Sequence, residues 1–293
     1  MANTTMDSPP GLVSVSTSMW NYYSRSTQKK TASGHNGSTR SKLSKNWHIW
    51  RNLILLHIGN DIVDLTDPHN MGKSRNLRFV NRVFTLSEQK HIFNSSKPDT
   101  ITWALWAGKE TAYKIISKCH PSASSTPRLY EVCLDWKDIC NKPVECFGED
   151  CVISGTVDTP YGHIHIRIFV TGEYVHCVGA TVPLETTDAV VWHVDRISPV
   201  SEGLPANESL RVREALKKHL SAYVGESPEG IEIRREKGSH GLQPPVVYLH
   251  GRQNDTDISL SHDGMFTAYA FTILEDSRAY AVENSHNTSR QSL

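Results

Sequence analysis

Apolar residues recur along this chain at two different spacings, and the spacings divide it into strand-like and helical segments. Residues 53–65, LILLHIGNDIVDL, are apolar on both sides of the pleat, which predicts a buried strand that ends in Asp61 and Asp64. At 77–93 the apolar residues follow a helical spacing. A capping box at 85–88, of the form S/T-x-x-E, predicts the start of a second helical segment there.

The longest helical pattern runs from Ile101 to Lys118, ITWALWAGKETAYKIISK. Asp99 or Thr100 is a suitable N-cap for it. At 3.6 residues per turn one stripe of this helix is mostly polar; it comprises Trp106, Glu110, Tyr113, Lys114 and Ser117. By itself the Glu-Lys pair one turn apart is typical of any amphipathic core helix.

Strand patterns dominate the remainder of the chain. Four lie at 129–136, 151–157, 163–170 and 174–182, and the last two are predicted to form a hairpin. A strand at 190–197, a helix at 209–224, strands at 231–235 and 246–250, and a hairpin at 257–272 that turns at Asp263-Gly264 follow. The two hairpins occupy matching places, which suggests an α+β fold of two similar halves, 53–187 and 188–275, related by a pseudo-twofold axis.

Composition narrows the class of protein. Acidic and basic residues balance at 31 each, so the chain has no global field for nucleic acid. It also has no apolar run of membrane-spanning length. Six cysteines without metal-site or disulfide spacing predict free thiols in an intracellular protein. Residues 1–52 are polar and basic, which fits either a disordered leader or an organellar transit peptide; residues 276–293 form a polar tail.

Two groups of polar residues could carry chemistry. Asp61 lies at the predicted end of a buried strand, and together with Asp64 it could hold a hard cation such as Mg²⁺. His262 could contact a phosphate or act as a base. It does not form a triad with Ser261 and Asp263, because adjacent strand residues face opposite ways. From the residues alone, solvated turn acids and a polar hairpin histidine remain the simpler interpretations.

Four segments, in this order along the chain, closely resemble the motifs of the 4'-phosphopantetheinyl transferase superfamily. They are GNDIVDL at 59–65, RFVNRVFTLSE at 78–88, WALWAGKETAYK at 103–114 and SLSHDGMFTAYAF at 259–271. The first three follow the holo-acyl-carrier-protein synthase type. The resemblance implies an α+β fold of two similar halves, with the active site in the cleft between them.

The resemblance also implies roles for individual residues. It implies that Asp61 and Glu110 bind Mg²⁺ and that Lys114 lies beside the phosphates of coenzyme A. Glu110, directly or through a water, is the candidate to take the proton of the attacking serine. Val63 stands where some family members have a further acid, so a water is expected there, and Asp64 is expected to act only behind the metal ligands.

Further basic and polar positions are carried over from the family motifs. Ser261 and His262 resemble the element that contacts the nucleotide end of coenzyme A. Arg78 and Arg82 match basic positions near the nucleotide or the carrier protein. A docking face for an acidic carrier is expected at Lys73, Arg75, Arg78 and Arg82.

Taken together, the motifs predict a Mg²⁺-dependent enzyme that moves 4'-phosphopantetheine from coenzyme A to a serine of an acyl carrier protein and releases adenosine 3',5'-bisphosphate. The type of carrier, whether fatty-acid, polyketide or peptide-synthetase, stays open. Two alternatives also stay open: a Mg²⁺-dependent phosphohydrolase of coenzyme A-like pyrophosphates, and a non-catalytic paralogue that binds a carrier. Two halves in one chain predict a monomeric pseudo-dimer, cytoplasmic unless residues 1–52 direct it to an organelle.

Overall fold

The computed structural model describes residues 56–135, 151–197, 207–238 and 241–273. The predicted leader at 1–52 and the predicted tail at 276–293 lie outside the described residues, as do Cys140 and Cys146. Among the remaining cysteines, Cys119, Cys133 and Cys177 are free thiols, as predicted.

Four α-helices occur in the described part of the chain. They are α1 (Leu77–Val83), α2 (Leu86–Asn94), α3 (Pro98–Cys119) and α4 (Glu208–Val224). The capping box is confirmed, since the Thr85 hydroxyl accepts from the Glu88 N–H and the Glu88 carboxylate accepts from the Thr85 N–H. Gly225, with φ 69, ends α4 in the left-handed conformation.

The N-cap expected for the longest helix is wrong. This helix begins at Pro98, and Lys97 occupies the N-cap position without a side-chain bond. Proline suits the first helical position because its φ is already helical and its missing N–H would have no partner there. Asp99 instead accepts from the backbone N–H groups of Gly72 and Ser74, at 2.7 and 2.8 Å, and so holds the preceding loop against the helix.

The strands of the described residues form two main sheets. The longer strands are β1 (Ile58–Asp64), β2 (Glu131–Leu134), β3 (Cys151–Thr159), β4 (Gly162–Val170), β5 (Tyr174–Ala180), β6 (Val190–Arg196), β7 (Ile231–Arg234), β10 (Val246–Leu249), β12 (Ile258–Asp263) and β13 (Phe266–Thr272), with the two-residue β8 (Lys237–Gly238), β9 (Gly241–Leu242) and β11 (Arg252–Gln253) among them. The first main sheet has the antiparallel order β1-β5-β4-β3-β2, and the second has the order β12-β13-β6. A further three-stranded sheet has the order β11-β10-β7, and β8 pairs with β9. Both predicted hairpins, β4–β5 and β12–β13, are confirmed.

The helices bury one face of each sheet, and the opposite faces of the two sheets meet each other. Helix α3 packs across β1 and β5, and α4 packs across β12 and β13. Between the sheets, Ile58 and Val178 of the first form one buried cluster with Val190 and Ala270 of the second. The mixed helix and sheet content confirms an α+β fold. The pseudo-twofold relation of two halves stays a prediction.

Strand β1 and helix α3 approach each other closely enough to require a glycine. A Cβ at Gly59 would lie 2.5 Å from the backbone oxygen of Thr111 and 2.8 Å from Ile115 Cγ1. Glycine is therefore the residue that lets the helix lie directly on the strand. Within the described residues, no helix combines the length and apolarity needed to cross a bilayer.

Candidate active site

Asp61 lies where β1, α3 and β12 meet. The sequence suggested that Asp61 ends its strand, but the residue lies in the interior of β1. Only 8% of the residue is exposed. Its Oδ1 atom accepts hydrogen bonds from Lys114 Nζ and from Ser261 Oγ, both at 2.8 Å. No hydrogen bond among the described residues engages the second oxygen, Oδ2, which leaves it available to a ligand.

Helix α3 presents the polar stripe that the sequence predicted. Each residue of the stripe is partly exposed, whereas every other residue between 101 and 116 is buried. Glu110 and Lys114 therefore lie on the open side of the helix. Burial, and after it the negative charge of Asp61, raise the pKa of Glu110 to about 7, although Lys114 acts in the opposite direction. Two carboxylates and one ammonium thus share a partly buried site.

Lys114 connects the helix with both sheets. Its Nζ donates to Asn60 O and Asp61 Oδ1, each at 2.8 Å, and to Leu260 O at 3.3 Å. An ammonium group has three donors, and all three have acceptors here. The sequence did not indicate the pairing of Lys114 with Asp61, and the expected contact of Lys114 with phosphates stays a prediction.

Ser261 belongs to a row of side chains on β12 that bind the free edge of β1. Four backbone N–H groups of β1 donate to side chains that lie two residues apart, three on β12 and one, Asp257, just before it. The pairs are Ile58 with Asp257 at 2.9 Å, Asn60 with Ser259 at 2.9 Å, Ile62 with Ser261 at 3.2 Å and Asp64 with Asp263 at 2.8 Å. Each pair is separated by 199 residues, so the two strands run in the same direction. The backbone N–H groups at this edge of the first sheet therefore have side-chain oxygens as acceptors instead of the backbone carbonyls of a neighbouring strand.

Ser261 and His262 face opposite sides of β12. The Ser261 hydroxyl faces β1 and Asp61, and the residue is 7% exposed. His262 has the opposite parity on the strand; it is exposed, and its Nδ1 lies 2.9 Å from Glu208 Oε2 at the start of α4. Only His262 of the two therefore reaches solvent with its side chain. Contacts of either residue with coenzyme A stay predictions.

Both carboxylate oxygens of Asp64 accept hydrogen bonds from nearby residues. Its Oδ1 accepts from the Thr66 N–H at 2.8 Å and from the Thr66 hydroxyl at 2.6 Å, while its Oδ2 accepts from the Met265 N–H at 2.9 Å. A Cβ at Gly264, where φ is 53, would collide with this carboxylate. Asp64 therefore fixes the β12–β13 turn, and the turn requires glycine for both its φ and its space.

Arg78 and Arg82 lie one turn apart on α1, and both are exposed. Lys73 and Arg75 are in the 3₁₀ turn just before this helix. The four cations predicted as a docking face are therefore together on one stretch of the surface. Their contacts with a carrier or a nucleotide stay predictions.

Two ion pairs at the site escaped the sequence reasoning. Lys109, next to Glu110 but on the buried side of α3, pairs with Glu88 at 2.8 Å, and both side chains are 1% exposed. Lys118, one turn after Lys114, pairs with Asp257 at 2.7 Å. A lysine among the apolar positions of α3 was the available signal for Lys109. The partner of Lys118 is 139 residues away, and no local pattern indicates it.

The donor set fits a hard divalent cation that is completed by other ligands. Among the described residues, no group of three or more His, Cys, Asp or Glu side chains is placed to hold a metal. Asp61 and Glu110 supply two carboxylates, and burial together with the charge of Asp61 raises the pKa of Glu110. Mg²⁺ commonly binds one or two carboxylates and takes its remaining ligands from water and substrate phosphates.

Comparison with known protein families bears on the class of protein. The 4'-phosphopantetheinyl transferase superfamily matches residues 57–151. The predicted family resemblance is confirmed. The matched residues contain Asp61, Glu110 and Lys114, whereas the β12–β13 hairpin with Ser261 lies beyond them. No curated protein matches the chain. The match supports a transferase of the phosphopantetheinyl transferase kind. Members of that superfamily use coenzyme A and act on carrier proteins.

Proposed function

We propose that this protein transfers 4'-phosphopantetheine from coenzyme A to a serine hydroxyl of an acyl carrier protein. The supporting observation is the meeting of Asp61, Glu110 and Lys114, from two elements of the superfamily match, at one partly buried place. With two carboxylates as protein ligands, Mg²⁺ would take its remaining ligands from water and the phosphates of coenzyme A.

The side chains suit each requirement of the reaction. Bound Mg²⁺ would neutralise pyrophosphate charge and stabilise the leaving oxygen. Lys114 would exchange one of its present acceptors for a phosphate oxygen. The serine Oγ forms the new P–O bond and gives its proton to Glu110, directly or through a water. The bond between the transferred phosphorus and the oxygen of the departing adenosine 3',5'-bisphosphate breaks in the same displacement. The role of Glu110 is to lie near the serine and take its proton.

The catalytic residues would come from two halves of one chain. The half at 53–187 would supply Asp61, Glu110 and Lys114, and the half at 188–275 would supply Ser261 and His262. Lys114 supports this arrangement because it bonds to β1 and β12 at once. The protein would then act as a monomeric pseudo-dimer.

An acidic carrier is the partner that the charges favour. Lys73, Arg75, Arg78 and Arg82 provide cations, and Leu77 among them is 60% exposed. Exposed apolar side chains surrounded by charges of one sign are suited to docking a protein of the opposite sign. Charges of this kind chiefly raise the association rate, and we expect carrier modification to slow as salt concentration rises.

The test is the mass of an apo carrier protein after incubation with the enzyme, coenzyme A and Mg²⁺. We expect the mass to increase by one phosphopantetheine arm. We also expect Glu110→Gln to lose turnover while it still binds the carrier. Glu214→Gln, at an exposed glutamate of α4, is the matched control and should retain full activity.

The outcomes separate the proposal from its alternatives. Release of free phosphopantetheine without any carrier would favour a phosphohydrolase with water as the nucleophile. Carrier binding without mass gain, across fatty-acid, polyketide and peptide-synthetase carriers, would favour a non-catalytic paralogue. Normal turnover by Glu110→Gln would overturn the role of Glu110.

A further inference from the structure

Lys118 lies at the end of the β1–β12 contact away from Glu110, and no recognised motif includes it. Its Nζ donates to Ile58 O at 2.6 Å, to Ile258 O at 2.8 Å and to Asp257 Oδ1 at 2.7 Å. The side chain is 7% exposed. Burying an ammonium is costly unless all its donors are satisfied and a countercharge is close, and this arrangement meets both conditions.

Lys114 repeats the same pattern one helical turn earlier. Each of the two lysines bonds to one backbone oxygen of β1, one of β12 and one carboxylate. Four helical residues rise about 6 Å and two strand residues advance about 6.6 Å. Lysines four residues apart on α3 can therefore contact strand residues that are two apart. Lys118 contacts Ile58 and Ile258, and Lys114 contacts Asn60 and Leu260.

Asp257 is held between several donors. Besides Lys118, it accepts the Ile58 N–H at 2.9 Å, and His57 Nδ1 lies 3.4 Å from its Oδ2. Burial acts to raise the pKa of Asp257, but Lys118, His57 and the Ile58 N–H outweigh it and lower that pKa. The neighbouring Asp257 carboxylate in turn raises the pKa of His57 to about 9. The carboxylate is thus joined both to Lys118 and to the backbone of β1.

We propose that Lys118 and Asp257 form a positioning pair that holds β12 in register on β1 and thereby places Ser261 and Lys114 on Asp61. A shift of one strand along the other would move the Ser261 hydroxyl and Leu260 O away from the Asp61 region together. The consequence for metal binding rests on the proposed function. The consequence for the register does not.

The experiment uses Lys118→Met and Asp257→Asn in the full chain. The amide introduced by Asp257→Asn keeps one oxygen, which can still accept from the Ile58 N–H, while its NH2 group replaces the oxygen that accepts from Lys118. This variant therefore breaks the ion pair and keeps the bond to β1. Lys217→Met, which breaks the partly exposed pair with Glu214 on α4, is the control. Stability is measured first by urea unfolding, so that every further measurement is made on fully folded protein.

Two measurements on the folded proteins follow. Calorimetric titration with Mg²⁺ alone should show affinity about 10- to 100-fold weaker in both variants, the usual effect of removing a group that orients a metal ligand. Amide exchange of Asn60 and Ile62, whose N–H groups donate to β12 side chains, should become faster. Exchange of the Val247 amide in both variants should match the wild type, as should the Mg²⁺ affinity and the amide exchange of Lys217→Met.

Unchanged Mg²⁺ affinity together with unchanged exchange at Asn60 and Ile62 would show a merely structural ion pair and overturn the proposal. If the wild type itself binds no Mg²⁺, the proposed metal site fails, and the exchange rates alone decide the register. If Lys118→Met does not fold, Asp257→Asn supplies the same comparison. Faster exchange in Asp257→Asn but not in Lys217→Met supports the positioning role.

Discussion

The buried pair of Lys109 and Glu88 allows the most direct test of how the helix of the site is held. Besides its partner, the Glu88 carboxylate accepts the N–H groups of Thr85 and Val132, each at 2.8 Å. Lys109 Nζ also donates to the backbone oxygens of Pro127 and Tyr130. Substitution of either residue, as Lys109→Met or Glu88→Gln, leaves the other charge in place with only these neutral partners.

The expected loss is large because both side chains are 1% exposed. Burial lowers the pKa of Lys109 and attraction to Glu88 opposes that shift, so the ammonium depends on its partner to remain charged. Removing one member of a buried pair typically lowers the free energy of unfolding by about 3–5 kcal/mol. The double variant Lys109→Met/Glu88→Gln leaves no buried charge uncompensated, and its loss should be smaller than the sum of the single losses.

Urea unfolding followed by tryptophan fluorescence measures these losses, since Trp103 and Trp106 lie on the same helix. Lys217→Met, in the more exposed pair with Glu214, should cost at most about 1 kcal/mol. Single losses as small as that control, or a double loss equal to the sum of the singles, would refute the account of the buried pair.

Three further predictions concern residues around the site. The pKa of His176 is lowered to about 3 by burial and by Lys114, so the unfolded chain binds the proton more tightly. The free energy of unfolding should therefore fall as pH drops below about 6.5, by up to about 1.4 kcal/mol per pH unit. Unfolding measured between pH 4 and 7 should show a weaker pH dependence in His176→Phe. Gly59→Ala should cost about 1–3 kcal/mol by pushing α3 off β1, whereas Gly172→Ala, where a Cβ meets nothing within 4 Å, should be near neutral in the same unfolding assay. Asp64→Ala should cost about 1–3 kcal/mol, because it leaves backbone N–H groups without their acceptor; a loss under about 0.5 kcal/mol in thermal unfolding would contradict that role.

Local patterns predicted much of the fold because local contacts produce them. The capping box at 85–88 joins residues three apart, and the turn at Asp263-Gly264 joins neighbours, so their chemistry is legible in a short window. The polar stripe of α3 followed from the helical period alone. The N-cap of that helix was mispredicted because the helix already begins at Pro98 and because the Asp99 carboxylate accepts from the loop N–H groups of Gly72 and Ser74, which are distant in sequence.

The candidate site was predicted as a set of residues, whereas its connections were not. Asp61, Glu110 and Lys114 were singled out by motif resemblance. Which atoms they contact depends on β12, about two hundred residues further along the chain, and nothing near Asp61 encodes that neighbour. The same reason hid the partner of Lys118, which is Asp257, and the role of Asp64, whose oxygens hold the β12–β13 turn.

The segment DISLSHD shows where sequence reasoning stops. Alternation along a strand established that Ser261 and His262 face opposite ways and that the pair cannot relay a proton. It could not establish which face meets β1, since both parities contain polar residues. The structure settles this through the free N–H groups of β1, which need acceptors at every second residue. Only the parity of Asp257, Ser259, Ser261 and Asp263 offers an oxygen at each step, and His262 is left to face outward.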